Sequence, residues 1–232
     1  MTPGAIADTG YTFKPSPYSS HAILVDSLPL KGDGRRVLDV GCAGGYLADI
    51  FARRGYEVVG IERVGGCGDS FPEGIELIET DLDADLPPVR GRFSYVICGD
   101  ILEHLRDPAK LLTQLGEILE PDGALVASLP NSGNLYFRLT ILCGRFPQHD
   151  KGLFDRTHLH FYMWQGWREL LETAGYLVAG RRVTGVPVGL ALPRWSSSAV
   201  VRTLEWLAYL VACVWPALFA YQFVVTARRS RL

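Results

Sequence analysis

The 232-residue chain has no excess of either charge: 23 Lys and Arg stand against 25 Asp and Glu, giving a formal charge of −2. A basic surface able to hold a nucleic-acid backbone is therefore not expected. Cysteine is sparse and scattered. Cys42, Cys67, Cys98, Cys143 and Cys213 are odd in number and form no C-x-x-C pair. This argues against a disulfide framework or structural zinc and for a reducing, cytoplasmic setting, with Cys42, Cys67, Cys98 and Cys143 as small buried or neutral groups. The first twenty residues, MTPGAIADTGYTFKPSPYSS, lack the apolar run of a secretion signal. No internal repeat or low-complexity tract is present. With 48% hydrophobic and 21% charged residues, the composition excludes a disordered chain and supplies a core.

One long apolar run stands out. Trp206 to Ala227 carries no charge and precedes Arg228, Arg229 and Arg231. Its length matches the ~20 residues that cross a bilayer. Pro216 divides it, however. Val200 to Val214 reads as a helix, and Leu218 to Thr226, aromatic and β-branched, as a buried strand. A soluble tail is the favoured expectation, with membrane-surface contact through 200–227 as the lesser alternative.

The rest of the chain alternates. Residues 1–35 form a Gly/Pro/Ser-rich lead-in and lid with a short helix from Ser20 to Leu28. Strands are expected at Val37–Val40, Glu57–Ile61, Ile75–Ile78, Phe93–Cys98 and Ala124–Ser128, and helices at Tyr46–Arg54 and Pro108–Leu119. Pro121-Asp122-Gly123 reads as a turn into the fifth strand. Such alternation predicts a parallel sheet covered on both faces. Asn131 to Asp155 is irregular and belongs to an insertion at about 131–165. A helix at Trp164–Ala174, a strand at Tyr176–Thr184 and a connection at Val186–Ser198 follow. Residues 36–232 read as one domain.

Gly41, Gly44 and Gly45 lie between the first strand and its helix, where glycine permits positive φ and close approach of a ligand. The helix start offers free N–H groups to an anion. Glu62 closes the next strand, about 20 residues on, where an acid can accept from ribose hydroxyls. On this pattern alone, a dinucleotide and S-adenosylmethionine both remain open.

Asp39-Val40-Gly41-Cys42 followed by glycines resembles the first motif of class I S-adenosylmethionine-dependent methyltransferases. Thr80-Asp81-Leu82, GDILEHLRDP from Gly99 and EPDGALVASLPN from Glu120 extend the resemblance. It implies a Rossmann-like three-layer α/β sandwich whose seven-stranded sheet is mostly parallel, with the last strand antiparallel. Tyr176–Thr184 and Leu218–Thr226 would be strands six and seven. It also implies a cofactor site in which Asp39, Gly41, Cys42 and Gly45 serve the methionine end. Glu62 would hold the ribose, Asp81 with Leu82 the adenine, and Gly99 the segment after strand four. SPYSSHAILV and FDRTHLHFYMWQGWRELLETAGY resemble a bacterial subgroup associated with sugar and cell-surface glycan pathways. Ala43 departs from the pattern, which favours glycine there. Either it keeps negative φ or Gly44 takes the special geometry.

The resemblance makes the acceptor an oxygen of a small molecule or glycan precursor. Removing its proton requires a base or a metal. His104 is the favoured base, His158 the second, with Glu103 beside them. A helical turn starting at Asp100 would place Asp100, Glu103 and His104 on one face. His158 and His160 alternate, so one of them faces the site. Together these residues are similar to the metal motif of small-RNA 2′-O-methyltransferases and some quinone-pathway O-methyltransferases. There the motif begins with glutamate, not with the aspartate found here, and the long RNA-binding parts are absent. A divalent metal is thus left uncommitted beside base and packing roles for His104. Aromatic residues gather in the lead-in (Tyr11, Phe13, Tyr18) and in the insertion from Tyr136 to Trp164, as an acceptor pocket or a packed lid. Arg138, Arg145, Lys151 and Arg156 suit an anionic acceptor. The competing readings are a cofactor-binding protein without turnover and a membrane-attached enzyme acting on a lipid-linked acceptor.

Overall fold

Short runs of Val, Leu and Ile bounded by glycine and charge become the strands of one sheet. In the computed structural model, which describes residues 16–67, 71–191, 193–195 and 198–230, these strands are β1 (Arg36–Val40), β2 (Glu57–Glu62), β3 (Glu76–Glu79), β4 (Phe93–Gly99), β5 (Leu119–Pro130), β6 (Tyr176–Val183) and β7 (Gln222–Arg229). Tyr11 and Phe13 lie outside the described residues. The order is β3-β2-β1-β4-β5-β7-β6. The first five strands run parallel, and β7 is antiparallel to both β5 and β6. The expected mostly parallel α/β sheet with a reversed last strand is what forms.

Alternate strand residues feed two cores, as the period of two requires. On one face Val37, Ile97 and Val126 meet Leu24 of α1 (Ser20–Asp26) and Leu47 and Phe51 of α2 (Tyr46–Arg53). On the other Leu38, Val96 and Leu125 meet Leu112 of α3 (Pro108–Ile118) and Trp167 and Leu171 of α5 (Trp164–Thr173). Asp107 caps α3 by accepting from Lys110 N at 3.0 Å, with Pro108 in the first turn. Such a cap contributes about 1 kcal/mol. The remaining helices are α4 (Leu135–Leu142), α6 (Val188–Ala191), α7 (Ala199–Val214) and α8 (Pro216–Phe219).

Three expectations need correction. Pro121-Asp122-Gly123 is not a separating turn but an irregularity inside β5, which shifts register between Phe93 and Tyr95 of β4. The last strand starts at Gln222, not Leu218, because Pro216 opens α8, where a missing N–H costs nothing. Asn131 and Asn134 then both donate from Nδ2 to Ala220 O, at 2.8 and 2.9 Å, and fix the chain's entry into the sheet. Finally, the stretch read as irregular contains α4, and Cys143 at its end is exposed, as is Cys213. Cys42, Cys67 and Cys98 are buried, and all five thiols are free. Among the described residues no helix is long and apolar enough to cross a membrane.

Candidate active site

The carboxyl ends of β1, β2 and β4 converge on the bend Gly41–Gly45. Gly41 N and Cys42 N donate to Ile61 O at 2.8 and 3.1 Å, tying the bend to β2. Gly41 has φ 73, and a Cβ there would lie 2.9 Å from Ile101. Gly45 has φ 74, and a Cβ there would lie 2.5 Å from Pro72 and 2.7 Å from Phe71. Neither of the two geometries proposed for Ala43 is found. Ala43 itself adopts φ 46, while Gly44 does not have positive φ. The left-handed conformation costs an L-residue about 1–2 kcal/mol. What holds it is Glu62, whose Oε2 accepts from Ala43 N at 2.7 Å while Oε1 accepts from Arg63 N at 3.0 Å. Each of these oxygens keeps acceptor capacity for a hydroxyl.

Asp39 is 1% exposed. Gly45, at the start of α2, has no capping side chain, and Asp39 takes the N–H of Ala48 instead. Its Oδ2 has no hydrogen-bond partner among the described residues. Burial first, and the charge of Glu62 second, push its pKa up to about 7 against the Ala48 bond. An orphaned acceptor beside the bend fits the ammonium end of an amino-acid-bearing cofactor. Asp81 is exposed after β3, and its Oδ1 accepts from Asp83 N at 3.0 Å. Leu82 is buried against the core. Gly99 ends β4 opposite Ser128, and a Cβ there would make only ordinary contacts with Leu24 and Leu47. Glycine is therefore not sterically demanded at this position.

Beyond β4, Glu103, His104 and His158 each offer a ligand atom within 4.8 Å of the others. The chain makes a short 3-10 turn, Leu102–His104, and the backbone N–H groups of Leu159 and His160 donate to Glu103 O at 2.8 and 3.2 Å. Asp100 does not share this cluster. It has φ 54 and so does not begin a helical turn, and its Oδ1 accepts from Gln222 Nε2 at 2.7 Å and from Ser128 Oγ. His160 also points elsewhere: its Nε2 lies 2.9 Å from Leu105 O and its ring stacks on Tyr162. His158 is the one of the alternating pair beside His104, with ring centroids 4.7 Å apart. Burial, then His104, push the His158 pKa down to about 4. His158 is thus neutral at pH 7, and its 3.9 Å approach to Glu103 is not an ion pair.

The tautomer of His104 follows from its partners. Thr157 Oγ1 donates its single proton to Asp155 Oδ1 at 2.6 Å. At 2.9 Å from His104 Nδ1 it can therefore only accept. The second neighbour of Nδ1, Thr157 O at 3.2 Å, is also an acceptor. In the neutral ring, Nδ1 therefore carries the proton and Nε2 keeps a lone pair.

Aromatic rings continue from the imidazoles. His158 lies 6.1 Å from Phe161, Phe161 lies 5.3 Å from Phe146, and Phe137 stacks on Phe154 at 4.4 Å. A concavity of about 410 Å³ beside α4 is lined by Tyr136, Leu139, Cys143, Arg145 and His149. Other members of the expected pocket are elsewhere: Tyr18 stacks on Tyr209 of α7, and Tyr162 and Trp164 pack on the main core. Of the expected cations, Arg138 donates to Gly133 O at 2.7 Å and Arg156 pairs with Asp150 at 2.7 Å.

A family model described as a methyltransferase domain matches residues 20–179. The chain belongs to the methyltransferase-domain family. Its cofactor class is accordingly S-adenosylmethionine. The ubiquinone biosynthesis O-methyltransferase of Cereibacter sphaeroides is 32% identical over 129 residues, 50% of this chain and 49% of that protein. The enzyme of the same name from Aeromonas salmonicida is 30% identical over 162 residues, 66% of each. The chain thus spans about half the length of the first of these relatives. Among solved structures, an S-adenosylmethionine-dependent methyltransferase from Archaeoglobus fulgidus superposes with TM-score 0.59 at 19% identity, covering 90% of this chain and 92% of that one. The magnesium protoporphyrin IX methyltransferase of Synechocystis, with bound S-adenosylhomocysteine, gives 0.57 at 20%, covering 90% and 80%. These structures share the fold. The relatives' names do not support the sugar and glycan subgroup.

Sequence reasoning missed Asp155, Thr157, Ser128, Gln222 and Phe71. The Asp-x-Thr spacing of 155–157, which closes a local turn through Thr157 N to Asp155 Oδ1 at 2.8 Å, was a readable signal. Ser128 and Gln222 lie 94 positions apart and meet only because β7 pairs with β5.

Proposed function

We propose that this domain transfers a methyl group from S-adenosylmethionine to a hydroxyl oxygen of a small aromatic acceptor. The observation that carries the reading is the His104 imidazole, with Nδ1–H committed to Thr157 and Nε2 left as a base, at the end of a run of aromatic rings. The acceptor hydroxyl attacks the sulfonium methyl, the carbon–sulfur bond breaks, and the hydroxyl proton passes to Nε2. S-adenosylhomocysteine and a methyl ether result. Alignment supplies much of the acceleration, and a positioned base contributes about 10²–10⁴-fold. His158, neutral at working pH, hydrogen-bonds or orients the acceptor.

In this reading Asp39, Gly41, Cys42 and Gly45 hold the methionine end, Glu62 the ribose, and Asp81 with Leu82 the adenine, with Gly99 beneath. The insertion at about 131–165 carries the acceptor pocket, and residues 1–35 are its lid. Glu103, His104 and His158 also form a donor set suited to a divalent cation, which would lower the acceptor's hydroxyl pKa. The relatives' name, an O-methyltransferase, accords with an oxygen acceptor.

The test is incubation with methyl-labelled S-adenosylmethionine and a panel of phenols, sugar phosphates and amines. The expected result is a labelled phenol ether with equimolar S-adenosylhomocysteine. His104→Ala should lower kcat/KM by about 10²-fold or more without weakening cofactor binding. Labelled sugar or amine products, or bound cofactor that no extract consumes, would overturn the reading.

A further inference from the structure

Helix α7 is turned inside out. Its 16 residues span about 24 Å at 1.5 Å per residue. Val201 and Ala212 are its buried residues, flanked by half-buried Glu205, Ala208 and Tyr209. The outer arc, roughly 160° wide at about 100° per residue, presents Val200, Leu204, Leu207, Val211, Trp206 and Leu210 to solvent. Val214 beyond them is 86% exposed. Large apolar residues on the surface of one element in this density mark an interaction site, not scattered exposure.

Three features choose the occupant. Tryptophan frames the face: Trp195 is 66% exposed just before the helix, Trp206 45% within it and Trp215 58% at its end. Exposed cations lie near it: Arg202 on the helix itself, Arg194 in the turn before it, and Arg182 of the neighbouring strand β6 beside Tyr209 and Cys213 at the edge of the helix. The helix's acid, Glu205, is turned inward, accepting from Gly189 N and Ser16 Oγ at 2.9 Å each. A second copy laid on this face would find no exposed acid of α7 for those arginines. A lipid surface offers what is missing: an apolar layer for Leu and Val, a boundary zone for tryptophan, and anionic headgroups for arginine. No helix among the described residues is long and apolar enough to cross a bilayer.

We infer that the outer face of α7 seats on the surface of an anionic membrane, lying in its plane. The inference is independent of the acceptor. It is tested by flotation of the full chain with vesicles of phosphatidylcholine alone or with phosphatidylglycerol. The expected result is binding to the anionic vesicles, weakened about tenfold or more in Leu207→Glu/Val211→Glu and reduced on anionic vesicles by Arg202→Glu. Unchanged binding of S-adenosylmethionine shows that the variants are folded. A second measurement needs no variant: tryptophan emission of the unaltered protein should shift to the blue and be quenched by brominated lipid. Protein left in solution with both vesicle types, variants that float like the unaltered chain, or absence of quenching would overturn the inference. So would a concentration-dependent dimer, in velocity sedimentation, that Leu207→Glu/Val211→Glu dissolves.

Discussion

Ala43 shows how one side chain reports on the loop around it. Its φ of 46 is held by the Glu62 carboxylate at 2.7 Å, so the same acid shapes the bend and faces the proposed ribose position. Replacing Ala43 with Gly removes the left-handed penalty and returns part of the gain as chain entropy, for a net stabilisation of up to about 1 kcal/mol in urea unfolding. The sequence showed that something unusual happens at this bend, but not which residue bears it, because φ is set by a hydrogen bond from a strand 19 residues away. Thr157 is the second instructive residue. Thr157→Val breaks the Asp155–Thr157–His104 chain and leaves the backbone O of residue 157, at 3.2 Å, as the remaining acceptor for His104 Nδ1, which loosens the ring's tautomer and orientation. It should lower kcat by about tenfold to 10²-fold, with KM for S-adenosylmethionine unchanged, and Thr157→Ser should restore the rate.

At the scale of elements, what was legible was what local pattern controls. The first four strands and the helices α2, α3 and α5 lie within about two residues of their expected places, because apolar periodicity and terminal Gly or Pro mark them. Where tertiary contacts decide, the reading slipped. Helix α4 buries little more than Phe137 and exposes Leu139, Ile141 and Leu142, so its sequence carries no clear amphipathic stripe. The start of β7 is set by two asparagines, 89 and 86 positions before Ala220, that grasp Ala220 O. Asn131 is fully buried and also accepts from Gly133 N at 2.9 Å. Asn131→Ala leaves those groups short of a partner at a cost of about 1–3 kcal/mol, which should lower Tm by about 3–10 °C in calorimetry. An unchanged Tm would mean that the reversal into β7 is held by other contacts.

For the whole molecule, two buried titratable groups act in opposite directions. His158, lowered from 6.5 to about 4, contributes stability above pH 6.5 that is lost as pH falls through 4. Asp39, raised from 3.8 to about 7, contributes stability below pH 3.8 that is lost as pH rises through 7. Between pH 4 and 6.5 the two slopes oppose each other. In urea titrations across that range Asp39→Asn should grow more stable with rising pH, whereas His158→Gln should grow less stable and the unaltered chain should change little. The sheet that buries Asp39 also carries Gly41, Glu62 and Asp81 at the ends of adjacent strands, where an open α/β sheet binds its ligand. The most direct measurement of that claim is calorimetric titration of S-adenosylmethionine into the unaltered chain and into Glu62→Ala. One site per folded chain, with affinity reduced by about tenfold or more in the variant, is the predicted result. No binding to the folded unaltered chain, or undiminished binding by Glu62→Ala, would contradict the account.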